Sequence, residues 1–240
     1  GNIKQSGVIY GDRMIKSPIN KYNILPASNF IDVAINDGDE ITALEYYKDK
    51  ILQFKKRKVF VIDISGDYES LADTFDNVGI NGQYAVVKTP KGIAWANENG
   101  CYLYNGDKLI NLIEGTIPTS EAYENAGIAN NRWAATSSSG NCLIGYDKNK
   151  DTLIVNFSKD NTESSTAPSG ATYHFKTNSW TLIRQVWNDN AAAPQTGDMS
   201  NMVTSEDGDV LFYHINSGGS YGVNTLRKWN HEPNNNLGTK

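Results

Sequence analysis

The segment from residue 39 to residue 65 decides the fold class: DEITALEYYKDKILQFKKRKVFVIDIS. It contains three short runs that are rich in Val, Ile, Leu, Phe and Tyr, with short charged turns between them. Runs of this length and composition, divided by turns, are typical of antiparallel strands joined by hairpins. We therefore predict three consecutive strands here, at Ile41–Tyr47, Lys50–Lys55 and Lys58–Ile64.

The same pattern continues on both sides of this segment. The other predicted strands are Gly7–Tyr10, Phe30–Ile35, Tyr84–Thr89, Gly92–Asn97, Gly100–Tyr104, Lys108–Asn111, Trp133–Ser137, Asn141–Asp147, Thr152–Phe157, Thr172–Lys176, Ser179–Arg184, Met202–Ser205, Asp209–Ile215 and Thr225–Trp229. Turn pairs such as Asn105-Gly106 and Asp207-Gly208 suit the positive φ angles of tight hairpin turns. Only Tyr68–Phe75 and Thr119–Asn125 have a pattern that favours a short helix. The sequence therefore predicts an all-β chain.

The strands fall into groups that begin near residues 39, 82, 130 and 200. The first groups are about 45 residues apart, which is the length of one propeller blade. The last spacing is longer because it includes two predicted loops, at residues 160–170 and 188–197. We predict one β-propeller domain over residues 1–240, with about five or six blades built from three- to four-stranded antiparallel meanders. Residues 1–38 supply a less regular blade, and a β-sandwich or barrel is the alternative.

Composition excludes several classes of protein. The chain has 22 Lys and Arg against 27 Asp and Glu, a net charge of −5, which argues against a general nucleic-acid binder. Two cysteines and three histidines without metal-ligand spacing provide neither a disulfide framework nor a zinc site. Because Cys101 and Cys142 lie in different predicted blades, we expect both to be thiols. No apolar run is long enough to span a bilayer.

Two groups of carboxylates are the candidates for catalysis, because glycoside hydrolysis requires a pair of them. One is Asp37–Glu40, which we name the acidic loop, and the other runs from Asp63 to Asp67. Acidic residues in solvated turns are far more common than catalytic pairs. We therefore assign no catalytic residue and no cofactor.

The spacing of Asp147, Asn149 and Asp151 is that of the opening of a calcium loop. Such a loop also needs a glycine at its sixth position and a glutamate at its twelfth, where this chain has Thr152 and Ser158. We predict a polar hairpin turn and no metal site.

One run of basic residues, Lys55–Lys58, is named the basic run. It joins two predicted strands, so we interpret it as a charged hairpin turn that blocks edge pairing, and we predict no tight DNA binding. His174 and His214 both lie on strand patterns, where a structural histidine is the ordinary interpretation.

Several motifs occur in a fixed order along the chain. They lie at Phe30-Ile31-Asp32, Asp37–Leu44, Ile51–Lys55, Lys58–Ile62, Ala85–Trp95, Gly100–Gly106, Tyr146–Val155 and Tyr173–Trp180. From about residue 7 to residue 230 this order resembles the propeller segment of the tail nozzle (tail tubular protein B-like) and packaged-DNA stabilisation proteins of short-tailed phages. The platform and distal regions of such a protein are missing, and both ends look cut, so we expect a fragment of a longer virion protein.

The resemblance implies a virion structural protein without enzymatic activity. It implies a homo-oligomeric ring that contacts other tail or portal-adaptor subunits, closes or extends the DNA exit channel, and has no membrane partner. The expected location is the virion tail, after assembly in the host cytoplasm.

The alternative function is a propeller that binds or cleaves carbohydrate and so recognises a receptor. Trp187, beside the predicted loop at residues 188–197, is the best candidate for stacking on a sugar ring. We predict that the other four tryptophans, which lie in strand patterns, pack between blades. These four are Trp95, Trp133, Trp180 and Trp229.

Overall fold

The computed structural model describes residues 3–35, 37–117, 133, 142–157, 168–184, 197–199, 201–216 and 224–229. The chain divides into two compact units, Gly1–Glu114 and Gly115–Lys240. Within the described residues the structure is all-β, with a 3-10 turn at Gln83–Ala85 and no α-helix. In those same ranges, no helix is long and apolar enough to cross a membrane.

The first unit contains twelve described strands. They are β1 (Ile3–Gln5), β2 (Val8–Tyr10), β3 (Arg13–Ile15), β4 (Phe30–Asp32), β5 (Ile41–Tyr47), β6 (Lys50–Lys55), β7 (Lys58–Asp63), β8 (Ser70–Asp76), β9 (Val86–Thr89), β10 (Gly92–Asn97), β11 (Gly100–Tyr104) and β12 (Leu109–Asn111). Two four-stranded antiparallel sheets, β5–β8 and β9–β12, keep their strands in sequence order. Before them, β1–β2 and β3–β4 form two-stranded sheets, and we name residues 3–35 the N-terminal layer.

The two four-stranded sheets pack face to face through a buried apolar core. Period-2 alternation sends Leu52 and Phe54 of β6 to the same face, where both are fully buried. The ring of Phe54 meets Trp95 of β10 edge to face at 5.2 Å between centroids. The indole Nε1 of Trp95 donates to the carbonyl oxygen of Val78 at 2.7 Å, so the buried donor is satisfied.

The second unit contains eight described strands. They are β13 (Cys142–Asp147), β14 (Thr152–Phe157), β15 (Pro168–His174), β16 (Ser179–Arg184), β17 (Gly197–Met199), β18 (Val203–Thr204), β19 (Val210–Asn216) and β20 (Asn224–Lys228). Strands β13–β16 form a third four-stranded meander in sequence order. In the last sheet β19 pairs with β20 along one edge and with both β17 and β18 along the other, so β17 and β18 act as one interrupted strand.

Many predicted strand bounds are confirmed without a shift. These are Ile41–Tyr47, Lys50–Lys55, Gly92–Asn97, Gly100–Tyr104, Thr152–Phe157 and Ser179–Arg184. Strands β1, β3 and β17 were not predicted, because their sequences, IKQ, RMI and GDM, contain no two adjacent β-branched or aromatic residues. The predicted loop at residues 160–170 ends earlier than expected, since β15 begins at Pro168. The predicted helix Thr119–Asn125, and the predicted strand Trp133–Ser137 beyond Trp133, lie outside the described residues.

The predicted helix at Tyr68–Phe75 is wrong, because this segment contains the edge strand β8. Leu71 and Phe75 are four residues apart, a spacing that suits one face of a helix. In the structure Val61 pairs with Asp73 and Ile62 with Leu71, so the pairing register shifts by one residue on β8. That shift turns Leu71 to one face of the sheet and Phe75 to the other. The group at residues 39–65 therefore has a fourth strand.

Candidate functional site

The basic run and the acidic loop lie against each other in the first unit. Lys56 Nζ lies 3.1 Å from Glu40 Oε1, and the Arg57 amide donates to Asp39 Oδ2 at 3.0 Å. The basic run joins β6 to β7, so the predicted hairpin turn is confirmed. The Lys56–Glu40 pair is exposed, and such pairs contribute only about 0–1 kcal/mol to stability.

Lys55 differs from the rest of the run, because its side chain is fully buried. Lys55 Nζ donates to Asp37 Oδ1 at 2.8 Å, to Asp12 Oδ1 at 3.1 Å and to the carbonyl oxygen of Ala34 at 3.0 Å. Three acceptors match the three N–H groups of an ammonium ion. The charged turn therefore begins after Lys55, which instead ties β6 to the acidic loop and to the N-terminal layer. Sequence reasoning missed Asp12, because no local pattern links residues 43 positions apart.

The surroundings of Asp37 keep it ionised. Partial burial raises its pKa, but the hydrogen bonds from Lys55 and from the Asp39 amide outweigh burial. The pKa therefore lies below the usual value of 3.8. A general acid at neutral pH needs a raised pKa, so Asp37 is arranged as an ion-pair partner rather than as a proton donor.

Asp63, in the second group of acidic residues, is also held by hydrogen bonds that favour its charged form. Asp63 accepts hydrogen bonds from Lys50 Nζ at 2.8 Å, from Ser65 Oγ at 2.6 Å and from the Ser65 amide at 2.8 Å. The lysine contact first, and then the two serine contacts, hold the pKa of Asp63 well below its usual range. Asp37 and Asp63, one from each group of carboxylates that the sequence offered as catalytic candidates, thus both accept hydrogen bonds from a lysine.

An arginine clamped between two aromatic rings lines an open depression in the N-terminal layer. Arg13 donates from Nε and Nη2 to the two carboxylate oxygens of Asp32, at 2.9 and 2.7 Å. Its guanidinium carbon lies 4.0 Å from the Tyr10 ring centroid and 3.7 Å from that of Phe30. The Asp32 hydrogen bond raises the pKa of Arg13. A bidentate contact with a carboxylate and close contacts with two aromatic rings fix the guanidinium as part of the sheet. Sequence reasoning missed this pair, because only the β3–β4 register places the two residues opposite each other.

The four tryptophans in strand patterns pack against other aromatic rings. Trp95 lies in the core between two four-stranded sheets, whereas Trp180 packs against Tyr173 of its own sheet. Trp95 and Trp133 are fully buried, and Trp133 meets Trp180 edge to face at 5.5 Å. Trp229 packs against Phe212 in the last sheet. Trp187, the candidate for stacking on a sugar, lies outside the described residues.

The segment that resembles a calcium loop is a hairpin turn between β13 and β14, as predicted. The Lys150 amide donates to Asp147 Oδ1 at 3.0 Å, and Tyr146 donates from its hydroxyl to Asp151 at 2.8 Å. Burial first, and then this hydrogen bond, raise the pKa of Tyr146. Asn149 Nδ2 donates to the carbonyl oxygen of Asp207, so the turn is tied to the next hairpin. Among the described residues no group of His, Cys, Asp and Glu is arranged to hold a metal ion.

The sequence predicts structural histidines at His174 and His214 and thiols at Cys101 and Cys142. His174 Nδ1 lies 3.1 Å from Thr152 Oγ1 on the neighbouring strand, which fits a structural role. The side chain of His214 is outside the described part of the structure. Cys101 and Cys142 are both buried, and neither is in a disulfide, as predicted.

No family model matches this sequence, and no curated protein is significantly similar to it. The ion network around Lys55 is therefore interpreted from its geometry alone. In this network carboxylates neutralise the charge of lysines, and the contacts connect loops to a sheet.

Proposed function

We propose that this chain is a structural module of a phage tail, of the nozzle or packaged-DNA stabilisation type. In this role it helps to close or extend the DNA exit channel and catalyses no reaction. Its partners are other copies of itself in a ring, together with tail or portal-adaptor subunits, and it has no membrane partner. Its location is the virion tail, after assembly in the host cytoplasm.

The proposal includes a fold of one β-propeller with about five or six blades. The observation that carries it is the stacking of consecutive meanders: β5–β8 and β9–β12 are each in sequence order and pack face to face. The β3–β4 sheet lies on the other face of β5–β8 through Met14, Ile31 and Val33. Sequential meanders that bury each other's faces are the arrangement of propeller blades.

The motifs that carry the resemblance to nozzle proteins coincide with the elements that hold these sheets together. The segment Asp37–Leu44 supplies the acidic loop and the start of β5, and Ile51–Lys55 supplies the strand that ends in the buried lysine. Trp95, at the end of the next motif, fills the core between the two sheets. This supports the resemblance, because these three motifs have a role in holding the fold together.

The charge distribution supports a channel component that does not grip DNA. Lys58 Nζ lies 2.8 Å from Asp76 Oδ1, so each member of the basic run has a carboxylate neighbour. Sequence-independent DNA binding comes from lysine and arginine that neutralise phosphates. Cations already compensated inside a chain of net charge −5 contribute little to such binding.

Small-angle X-ray scattering of the purified chain tests the fold. A single propeller predicts a radius of gyration of about 18 Å and a pair-distance distribution with one maximum. Two maxima, or a clearly larger radius, would count against a single propeller domain.

Immunogold electron microscopy tests the function. Antibodies raised against the purified chain are expected to label the tail of virions, with pre-immune serum as the control. Absence of the protein from the mass spectrum of purified virions would overturn the proposal. A reproducible glycan-array signal that Trp187→Ala removes would favour the receptor-binding alternative instead.

A further inference from the structure

The N-terminal layer is attached to the β5–β8 sheet by a small apolar core. Among the layer residues whose burial is described, only Met14 is buried, at 7% exposed. Ile31 and Val33 are partly buried and pack with it against Ile62 of β7. The core that joins β5–β8 to β9–β12, in contrast, contains thirteen buried residues among those that the structure describes. Because stabilisation by apolar burial scales with the buried area, the layer is held less strongly than the two sheets hold each other.

A buried amide side chain lies on the face of the sheet that the layer covers. Gln53 is placed between Ile51, which packs against the cluster that contains Met14, and Lys55, which bonds to the layer. Alternate residues of a strand share a face, so Gln53 faces the layer as well. It is fully buried, and neither atom of its amide has a hydrogen-bond partner among the described residues. Its burial therefore opposes closure of the layer, because water hydrates the amide once the layer has moved away.

The ion network around Lys55 does not have to be dismantled for the layer to leave. Lys55 Nζ donates to Asp12 and to the carbonyl oxygen of Ala34, which belong to the layer, and to Asp37, which belongs to the acidic loop. The acidic loop is also bound to the basic run by contacts of its own. Asp37 therefore stays with Lys55 when Asp12 and Ala34 move away, so the opening leaves no buried charge unpaired.

Other contacts across this boundary include a backbone hydrogen bond and an ion pair. The Ile41 amide donates to the Gly11 carbonyl oxygen at 3.0 Å, and Lys16 pairs with Glu69 through side chains that are 42% and 30% exposed. Exposed ion pairs contribute little to stability. Two-stranded sheets are marginally stable by themselves in water, so the β1–β2 and β3–β4 strands also lose their pairing once the layer is released.

We propose that the N-terminal layer is a cover that opens as one unit while the β5–β8 and β9–β12 sheets stay folded. Opening uncovers the face of β5–β8 that carries Phe60 and Ile62, which are 4% and 1% exposed when the cover is closed. A unit of low local stability opens far more often than the whole protein unfolds, so this face is exposed intermittently under native conditions. The opening does not depend on the proposed role in a phage tail.

Hydrogen exchange of the purified full chain, followed by mass spectrometry at low urea concentrations, tests the opening. The amides of β3 and β4 are expected to exchange faster than those of β10 and β11 by about tenfold or more, after correction for intrinsic rates. Their exchange is also expected to depend less on urea, because opening of the layer exposes less surface than global unfolding.

Two substitutions separate local opening from global unfolding. Ile93 is fully buried in the core between the two four-stranded sheets, so Ile93→Val is expected to accelerate exchange in β10 and β11 by about two- to tenfold and to leave exchange in β3 and β4 unchanged. Gln53→Met is expected to slow exchange in β3 and β4 by about fivefold or more, because no amide is then buried without partners. Gln83→Met is the matched control, since Gln83 is exposed, and it is expected to leave that exchange unchanged.

Equal protection and equal urea dependence of the β3–β4 and β10–β11 amides would overturn the proposal, because the first unit would then open only as a whole. Equal acceleration of both sets of amides by Ile93→Val would overturn it for the same reason. Exchange in β3 and β4 that Gln53→Met leaves unchanged would overturn the role given to the buried amide.

Discussion

Replacing Lys55 by methionine probes the ion network most directly. Methionine keeps most of the aliphatic stem and removes the ammonium group. The substitution leaves Asp12 and Asp37, which are only 17% and 24% exposed, facing each other without a cation. It also removes the donor that satisfies the carbonyl oxygen of Ala34.

The expected loss of stability follows from what remains behind. Removing one partner of a buried ion pair costs about 3–5 kcal/mol, because the other charge stays desolvated and unpaired. The two carboxylates keep some contact with water, so we expect about 3 kcal/mol at neutral pH. Adding Asp12→Asn and Asp37→Asn to Lys55→Met is expected to recover part of this loss, because the unpaired charges are then gone.

Urea unfolding followed by tryptophan fluorescence measures the change in free energy. Lys56→Met is the matched control: Lys56 is adjacent in the chain but 52% exposed, so its loss is expected to cost less than about 1 kcal/mol. The effect also depends on pH. In the wild type the lowered pKa of Asp37 stabilises the fold above pH 3.8, and this contribution is lost as pH falls through the folded-state pKa. In Lys55→Met the pKa of Asp37 rises, so protonation relieves the unpaired charge and the difference between the two proteins narrows towards about pH 4.

A Lys55→Met protein within about 0.5 kcal/mol of the wild type would refute the reasoning. So would a destabilisation equal to that of Lys56→Met. Either result would mean that the lysine is hydrated and that the acidic loop does not depend on it.

Three further predictions follow from buried or compensated groups. Gln53 is fully buried, and neither of its amide atoms has a hydrogen-bond partner among the described residues, so Gln53→Met is expected to raise the free energy of unfolding by about 1–3 kcal/mol. Gln83→Met, which removes an exposed contact, is the control, and a destabilised Gln53→Met protein would contradict the expectation. Cys101 and Cys142 are expected to resist alkylation in the folded protein and to give two adducts after unfolding without reductant; a mass two protons lighter and no adducts would mean a disulfide. Fluorescence anisotropy with a labelled DNA duplex is expected to give a dissociation constant weaker than about 10⁻⁴ M at physiological salt. Micromolar binding that alanine substitution of the basic run abolishes would show that these cations are available to phosphates.

Local sequence was sufficient for most strands and turns. A strand such as Gly92–Asn97 has β-favouring residues and a glycine at its boundary, and the turn at Asn105-Gly106 has Gly106 at a φ of +97°. These features depend on neighbouring residues alone, so they are readable without a partner. For the same reason the hairpin turn at Asp147–Asp151 was predicted correctly.

Pairing with a neighbouring strand determined the secondary structure where the local sequence pattern was ambiguous. Tyr68–Phe75 has an acceptable helical spacing, but hydrogen bonding to the β7 edge made a strand of Ser70–Asp76. Strand pairing overrode local propensity because helical propensity is worth only a few tenths of a kcal/mol per residue.

The environment of the charged residues in the candidate site was also not predictable from local sequence. Lys55 and Lys56 are identical and adjacent in sequence, yet one is fully buried among acceptors and the other is half exposed. The burial of the two side chains differs because successive residues of a strand point to opposite sides, and β6 ends at Lys55. The local pattern of apolar and turn residues was enough to predict an all-β chain of hairpins. Which charges are buried together could be seen only in the folded chain, since Asp12, Asp37 and Lys55 meet through the packing of the N-terminal layer on a sheet formed later in the chain.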